Sequence, residues 1–105
     1  MNSLIDLLEF GLYQFRLGSR LQVLRSPDVP HGLVVFETAG EGSKFRMLVL
    51  RRPPWKLRGS GKAFARYLRA IDSGLSRVPW EPNRFGPIAD ERRIRFAARV
   101  GPARV

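Results

Sequence analysis

Residues 32–51 read GLVVFETAGEGSKFRMLVLR, and this stretch decides the fold. It contains two runs rich in Val, Phe and Leu, residues 32–39 and 44–51, which are separated by Gly40-Glu41-Gly42-Ser43. β-Branched and aromatic residues favour strands, and a short loop with glycines between two such runs is typical of a hairpin. The sequence therefore predicts a β-hairpin at this position.

The register of this hairpin follows from the pattern of its side chains. A loop of this length places Glu37 opposite Arg46 and Val35 opposite Leu48. A shift of one residue would bring polar side chains opposite apolar ones, so the pattern favours this register. Apolar residues occur on both faces of the two runs, which predicts central strands that are covered on each side.

A helix and a further hairpin are predicted before these strands. Ser3 and Asp6 have the spacing of an N-terminal cap, and the apolar residues after Ser3 recur at helical intervals. Gly11 is a natural helix terminator, and we place the end of the helix there. Residues 15–17 and 21–23 both alternate, so we expect them to pair as a hairpin around the three residues between them.

The clearest helix follows the sheet, which Pro53 and Pro54 end because they lack backbone donors. Over residues 60–73 apolar side chains recur at helical spacing, and Gly74 is placed to end the helix. We expect the core-facing stripe to be Phe64, Leu68, Ile71 and Leu75, flanked by Tyr67, with Lys62, Arg66 and Arg69 on the opposite face.

Two segments complete the chain. Residues 78–87 are rich in proline but also contain Trp80 and Phe85, which predicts an ordered crossover whose aromatic rings pack on the core. Residues 89–100 alternate as a strand would, yet Asp90 and Gly101 are helix end signals, and we favour a helix. The predicted order is α-β-β-β-β-α-α.

These elements predict a small α+β fold and a single domain over residues 1–105. The sheet is antiparallel, with three to four strands, and it packs against two or three helices. The chain has no cysteine, and His31 is its only histidine, so disulfides, thiolate metal sites and histidine clusters are excluded. We therefore expect no metal and no cofactor.

The location of the protein is predicted from its apolar runs. All of them are far shorter than the ~20 residues that span a bilayer. The first residues also lack the basic and apolar regions of a signal peptide. We expect a cytoplasmic protein with no membrane partner.

The charge of the chain indicates its class of partner. Nineteen Lys and Arg against nine Asp and Glu give a formal net charge of +10, and such a positive potential attracts polyanions. Sixteen of the cations are Arg, a bias that coding composition alone can produce. Charge therefore supports a nucleic-acid or acidic protein partner without establishing one.

The densest group of cations surrounds Trp55. Basic side chains interleaved with an exposed aromatic ring suit single-stranded nucleic acid, through phosphate contacts and base stacking. Tryptophan is usually buried, however, so we expect the ring of Trp55 to lie in the core between sheet and helix, with the charges outside. The predicted anion-binding or nucleic-acid-binding residues are Arg51, Arg52, Trp55, Lys56, Arg58, Lys62, Arg66 and Arg69.

Two other basic segments have simpler interpretations. Arg58-Gly59-Ser60-Gly61-Lys62 precedes the central helix, where a helix start favours an anion, but we favour a loop with Ser60 as the N-cap. The predicted last helix is basic along its polar side, and such faces are usually solvated. No recognition motif supports sequence-specific readout. The basic residues of this last helix are Arg92, Arg93, Arg95 and Arg99.

The leading functional hypothesis is a non-enzymatic protein that binds nucleic acid or another polyanion without reading its sequence. The first alternative is a protein-interaction module of the accessory or immunity type, which binds an acidic partner or forms a homodimer. The second is a metal-independent RNA-cleaving enzyme that uses His31, Glu37 and Arg46 as base, acid and phosphate clamp. Glu37 and Arg46 are equally explained as a cross-strand pair.

Overall fold

The computed structural model describes residues 3–57, 60–99 and 103–104. Three strands form an antiparallel meander, and the strand order in the sheet is β1-β2-β3-β4. In chain order the elements are α1 (Ser3–Tyr13), β1 (Arg20–Arg25), β2 (Leu33–Ala39), β3 (Lys44–Val49), a 3₁₀ turn (Pro54–Leu57), α2 (Gly61–Arg77), β4 (Glu81–Pro82), α3 (Glu91–Arg99) and β5 (Ala103–Arg104).

The hairpin of β2 and β3 is confirmed together with its register. Glu37 lies opposite Arg46, and Val35 lies opposite Leu48, as predicted. In the loop, Gly40 and Gly42 have φ values of 60° and 89°. Glycine reaches positive φ without a steric penalty, which explains why this turn contains two of them.

The prediction of a hairpin between residues 15–17 and 21–23 is wrong. The backbone N–H groups of Phe15 and Arg16 both donate to the Leu12 carbonyl, so the chain turns there and does not extend. β1 instead pairs with β2, and Val23 lies opposite Val35. This pairing buries Leu21 and Val23 beneath α1, which a hairpin with the preceding residues would not achieve.

The helix α1 continues past Gly11, where we had expected it to end. A Cβ at Gly11 would lie 2.5 Å from Cδ1 of Leu68, so the glycine permits α1 to approach α2 closely. α1 also covers the outer edge of β1. The Glu9 carboxylate accepts the N–H of Val23 at 2.8 Å, and the Tyr13 hydroxyl donates to the Leu21 carbonyl at 3.0 Å. Unpaired strand edges promote aggregation, and these two hydrogen bonds from α1 protect the edge of β1.

The prediction that α2 ends at Gly74 is also wrong, because the helix continues to Arg77. Its predicted faces are confirmed. Leu68 and Ile71 are buried, with Tyr67 and Leu75, and Phe64 is partly buried against the same cluster. The predicted last helix is present as α3. The Asp90 side chain accepts the N–H of Arg92 at 2.8 Å and so caps its first turn.

The far edge of the sheet holds two short strands that we did not predict. β4 pairs antiparallel with the start of β3, and β5 pairs parallel with its end. The predicted order α-β-β-β-β-α-α is therefore wrong, because the structure describes three strands before α2 and places β4 and β5 after it. The small α+β fold with an antiparallel sheet and three helices is confirmed. Each of the two short strands is two residues long, too short for the alternation that predicts a strand.

The sheet separates two apolar clusters, as the predicted coverage of both faces requires. On one face, Val35 and Leu48 pack beneath α1 and α2. On the other, Phe36 and Phe45 stack with ring centroids 5.4 Å apart, and Phe85 from the crossover contacts both edge-on. α3 covers this second cluster. No helix in the described residues is long and apolar enough to cross a bilayer.

Candidate nucleic-acid interface

The outward face of α2 carries three of the predicted cations. Lys62, Arg66 and Arg69 are exposed and follow each other at spacings of four and three residues, so they lie on one side, away from the core. Arg77 comes eleven residues, or about three helical turns, after Arg66 and joins them. These four residues, the α2 basic face, extend over about 22 Å.

The α2 basic face forms no ion pair within the described part of the chain. The ion pairs there use Arg16, Arg46, Arg92 and Arg99 as cations. The one carboxylate on α2, Asp72, bonds Arg16 instead. Because unpaired cations keep their full attraction for an anionic ligand, the face is a continuous positive surface.

Arg66 also borders a pocket of about 530 Å³. Another predicted residue, Arg52, lines the same pocket together with Leu57 and Tyr67. The Tyr67 hydroxyl donates to the Arg52 carbonyl at 3.0 Å and so fixes the segment after β3 against α2. Burial raises the pKa of Tyr67 to about 12, despite the nearby Arg52 charge. The hydroxyl is therefore a constant donor at neutral pH.

Trp55 does not fill the core, so that prediction is wrong. Its side chain is 50% exposed on the 3₁₀ turn, and its ring meets His31 edge-on with centroids 5.5 Å apart. Leu57, two residues later, occupies the position against the cluster beneath α2. The structure thus places Trp55 beside a histidine and leaves it accessible to solvent.

The remaining predicted residues fall into three cases. Arg51 is exposed on the segment that leaves β3. Arg58 and the side chain of Lys56 lie outside what the structure describes. Ser60 occupies the N-cap position of α2, as expected, but its side chain makes no capping hydrogen bond. The start of α2 is therefore capped in backbone conformation only.

A second group of charges lies buried beside the C-terminal half of α2. Glu37 is 1% exposed and accepts Arg16 Nε at 2.6 Å and Arg46 Nε at 2.7 Å. Arg16 Nη1 also donates to the Asp72 carboxylate and, at 3.0 Å, to the Ser76 hydroxyl. We term Arg16, Glu37, Arg46 and Asp72 the buried network.

The protonation of the buried network follows from these contacts. Burial by itself raises the pKa of Glu37, but hydrogen bonds from Arg16, Ser19 and Arg46 outweigh it and hold the pKa below the ordinary value of 4.5. For Arg16, burial lowers the pKa, and the bonds to Glu37 and Asp72 raise it above its ordinary value. Glu37 is therefore ionised and Arg16 protonated at neutral pH, and the network pairs two basic side chains with two acidic ones.

Of the three residues of the RNA-cleaving alternative, Glu37 and Arg46 are paired, but His31 is not brought to them. His31 precedes the first residue of β2 and packs on Trp55. Glu37 lies four residues, or about 13 Å, beyond Leu33, the first residue of β2. Since a general base must lie within hydrogen-bond reach of the proton that it takes, the geometry gives this alternative no support. Glu37, held ionised between two arginines, is also a poor general acid.

Sequence reasoning missed several residues of this region. Arg77 was missed because Gly74 was taken as the helix end, and the outward spacing from Arg66 is the signal that finds it. The contact of Arg16 with Asp72 joins residues 56 positions apart, and no local pattern indicates it. Trp80, predicted to pack on the core, instead lies 4.0 Å over the Arg46 guanidinium and is 37% exposed.

The basic residues of α3 lie on the other side of the sheet. There Arg92 lies 3.7 Å from Asp90, and Arg99 lies 3.0 Å from Asp28. Arg93 and Arg95 are exposed. The two basic helices therefore face in opposite directions, and α3 is partly neutralised by its own neighbours.

Exposed apolar side chains lie along α1 and the turn after it. Phe10 is 70% exposed and Leu7, three residues earlier, is 52% exposed. The following exposed residues are Tyr13, Phe15 and Leu17, and together the five present about 600 Å² at roughly 200 Å² for each full side chain. Exposed apolar areas at the upper end of what monomers show are often interaction sites.

No three His, Asp or Glu side chains among the described residues are grouped so that they could hold a metal ion. No protein-family model matches the chain, and neither a curated protein nor a solved structure shows significant similarity to it.

Proposed function

We propose that the protein binds nucleic acid through its phosphate backbone, with the α2 basic face as the principal contact. One observation carries the proposal: four cations follow one exposed helix face, and none of them has a carboxylate partner among the described residues. Phosphate contacts by Lys and Arg release counterions and supply most of the affinity of non-specific binding.

The dimensions of the face fit this ligand. Each strand of duplex DNA carries one phosphate per about 3.4 Å of helix axis, so a face about 22 Å long lies beside enough phosphates for each of its four cations to contact one. Arg52, beside Arg66 in the neighbouring pocket, widens the positive surface at one end. Phosphate contacts of this kind require neither a base contact nor a catalytic group, and they agree with the expected cytoplasmic location.

The proposal is tested by the salt dependence of oligonucleotide binding. The variant K62S/R66S/R69S removes three cations of the face, and R92S/R93S/R95S removes the same charge from α3 on the opposite side. Binding of a labelled mixed-sequence 20-mer is measured by fluorescence anisotropy over a range of salt concentrations. The α2 variant should flatten the log–log salt slope by about 0.7–0.9 for each lost contact, while the α3 variant should keep the native slope.

Two results would overturn the proposal. The first is the absence of binding by the native protein at low salt. The second is an equal loss of slope in both variants, because net charge would then explain binding without the α2 basic face. Circular dichroism of both variants controls for folding, and it should be unchanged because exposed charges contribute little to stability.

The exposed apolar surface of α1 favours a second candidate function, self-association. Residues 3–15 contain two acidic and no basic residues, so two molecules of net charge +10 repel each other least there. The apolar area of about 600 Å² approaches the ~800 Å² that each partner of a stable complex buries. The substitution Phe10→Ser should then convert a dimer into a monomer in sedimentation equilibrium. A native protein that is monomeric at 100 μM contradicts this second function.

A further inference from the structure

A pocket of about 470 Å³ opens beside the C-terminal half of α2. Its volume lies within the ~300–1,000 Å³ that small-molecule sites typically have. The buried network forms its floor, and Phe15, Leu17 and Trp80 stand around it. The pocket thus joins a polar floor to an apolar rim, which is the combination that orients a flat ring.

The apolar side chains at the rim of this pocket are exposed to solvent. Leu17 is 89% exposed, and Phe15 and Trp80 are also exposed. The Arg46 guanidinium lies over the Trp80 ring, 4.0 Å from its centroid, so a cation and an indole are already in contact at the pocket wall. Nucleobases stack on aromatic side chains and on arginine planes, because each base presents a π face.

The floor offers hydrogen-bond donors without a net charge. Nη2 of Arg16 and Nη2 of Arg46 donate to no described residue, whereas their Nε atoms are held by Glu37. Because the carboxylates of the network cancel the two guanidinium charges, the floor is not suited to a phosphate. A guanidinium N–H can instead donate to a neutral ring edge, and guanine presents the acceptors O6 and N7 on one edge.

The pocket is continuous with the proposed phosphate contact. Asp72 and Ser76, which line it, belong to α2. Arg69 precedes Asp72 by one turn, and Arg77 directly follows Ser76. A base in the pocket therefore brings its flanking phosphates to the C-terminal half of the α2 basic face.

We propose that this pocket binds an unstacked guanine base of a single-stranded nucleic acid. The inference rests on the proposed function and adds to it a preference for single strands over duplex and for guanine over pyrimidines. In a duplex the base is stacked and paired, so its faces cannot reach the rim.

The pocket is tested without phosphate by an uncharged nucleoside. In the variant Trp55→Phe, Trp80 provides the only indole N–H resonance in a ¹H–¹⁵N NMR spectrum. The probe is inosine, which keeps the O6 and N7 acceptors of guanosine and is more soluble. Inosine should shift the Trp80 resonance in a saturable way, and uridine and ribose should shift it much less. Equal shifts by inosine and uridine, or no shift by inosine at 10 mM, would overturn the pocket assignment.

A rim substitution with a matched control completes the test. Phe15→Ser should weaken inosine binding about fivefold or more, the lower end of the loss seen when a stacking side chain is removed. It should weaken single-stranded oligonucleotide binding similarly and leave the salt slope unchanged. Phe96→Ser removes an exposed phenylalanine from α3 and should change neither inosine binding nor oligonucleotide binding.

The outcomes separate the pocket from the proposed function. Oligonucleotide binding with a native salt slope, but with equal affinity for single strands and duplex, rejects the pocket and keeps the α2 basic face. Saturable inosine binding without oligonucleotide binding rejects nucleic acid as the ligand and leaves a site for free nucleosides. A change of oligomeric state in Phe15→Ser, without a loss of inosine affinity, assigns the rim to a second copy of the chain and rejects the pocket.

Discussion

The buried network and the α2 basic face lie on neighbouring sides of the same helix and use the same residue type in opposite ways. In the network, Arg16 and Arg46 each bond a carboxylate and are almost buried. On the face, Arg66 and Arg69 are exposed and have no carboxylate partner among the described residues. The net charge of +10 does not distinguish these two groups of arginines. Ion pairing with a carboxylate does, because it separates structural arginines from those available to a ligand.

The arginines of α3 are intermediate between the paired arginines of the network and the unpaired ones of the α2 basic face. Two of its arginines contact carboxylates, but the contacts are exposed, and surface pairs of this kind contribute little free energy. α3 is therefore the appropriate control wherever the α2 basic face is altered. Its charge matches that of α2 in sign and number, whereas its surroundings differ.

The largest effect is expected from breaking the buried network. Glu37→Gln leaves the guanidinium groups of Arg16 and Arg46 facing a neutral amide in a buried position. Removing one partner of a buried pair costs about 3–5 kcal/mol, because the charge left behind is neither solvated nor paired. Urea unfolding at pH 7 measures the free energy of unfolding. Glu41→Gln, in the exposed loop between β2 and β3, is the control and should lie within about 0.5 kcal/mol of the native protein.

A small loss in Glu37→Gln would contradict the comparison. It would mean either that the arginines move out to solvent or that a rearranged Asp72 pairs with them while they stay buried, and that the network contributes no more than a surface pair. The variant Glu37→Leu distinguishes these cases. If Arg46 simply moves out to solvent, Glu37→Leu should be as stable as Glu37→Gln. If the arginines stay buried, it should be less stable.

The sequence predicts the fold and the site only where the deciding contacts are local. The β2–β3 register follows from alternation across a short loop, and the outward face of α2 follows from helical spacing. The end of α1 does not, because Gly11 resembles a terminator until Leu68 is seen against it. The buried network depends on Arg16 reaching Asp72 across the fold, and no pattern along the chain indicates which arginine finds an acid.

The pH dependence of stability sharpens the same comparison. The pKa of Glu37 is lowered in the folded protein from its ordinary value of 4.5. Its stabilising contribution is therefore complete above about pH 4.5 and is lost as the pH falls through the lower, folded value. Urea midpoints measured from pH 7 to pH 3 should fall in the native protein. They should fall less in Glu37→Gln, and parallel curves would show that Glu37 does not carry this dependence.

The smallest effect is expected on the α2 basic face itself. Arg66→Ala removes an exposed cation without a carboxylate partner, and alanine is a slightly better helix former, so the free energy of unfolding should stay within about 0.5 kcal/mol. Leu68→Ala, two residues along the helix, shows that the urea assay is sensitive at this position. It empties part of the buried cluster and should cost about 2–5 kcal/mol. If Arg66→Ala were as costly as Leu68→Ala, Arg66 would be a structural residue like Arg46. The proposal that the α2 basic face binds a ligand would then lose its support.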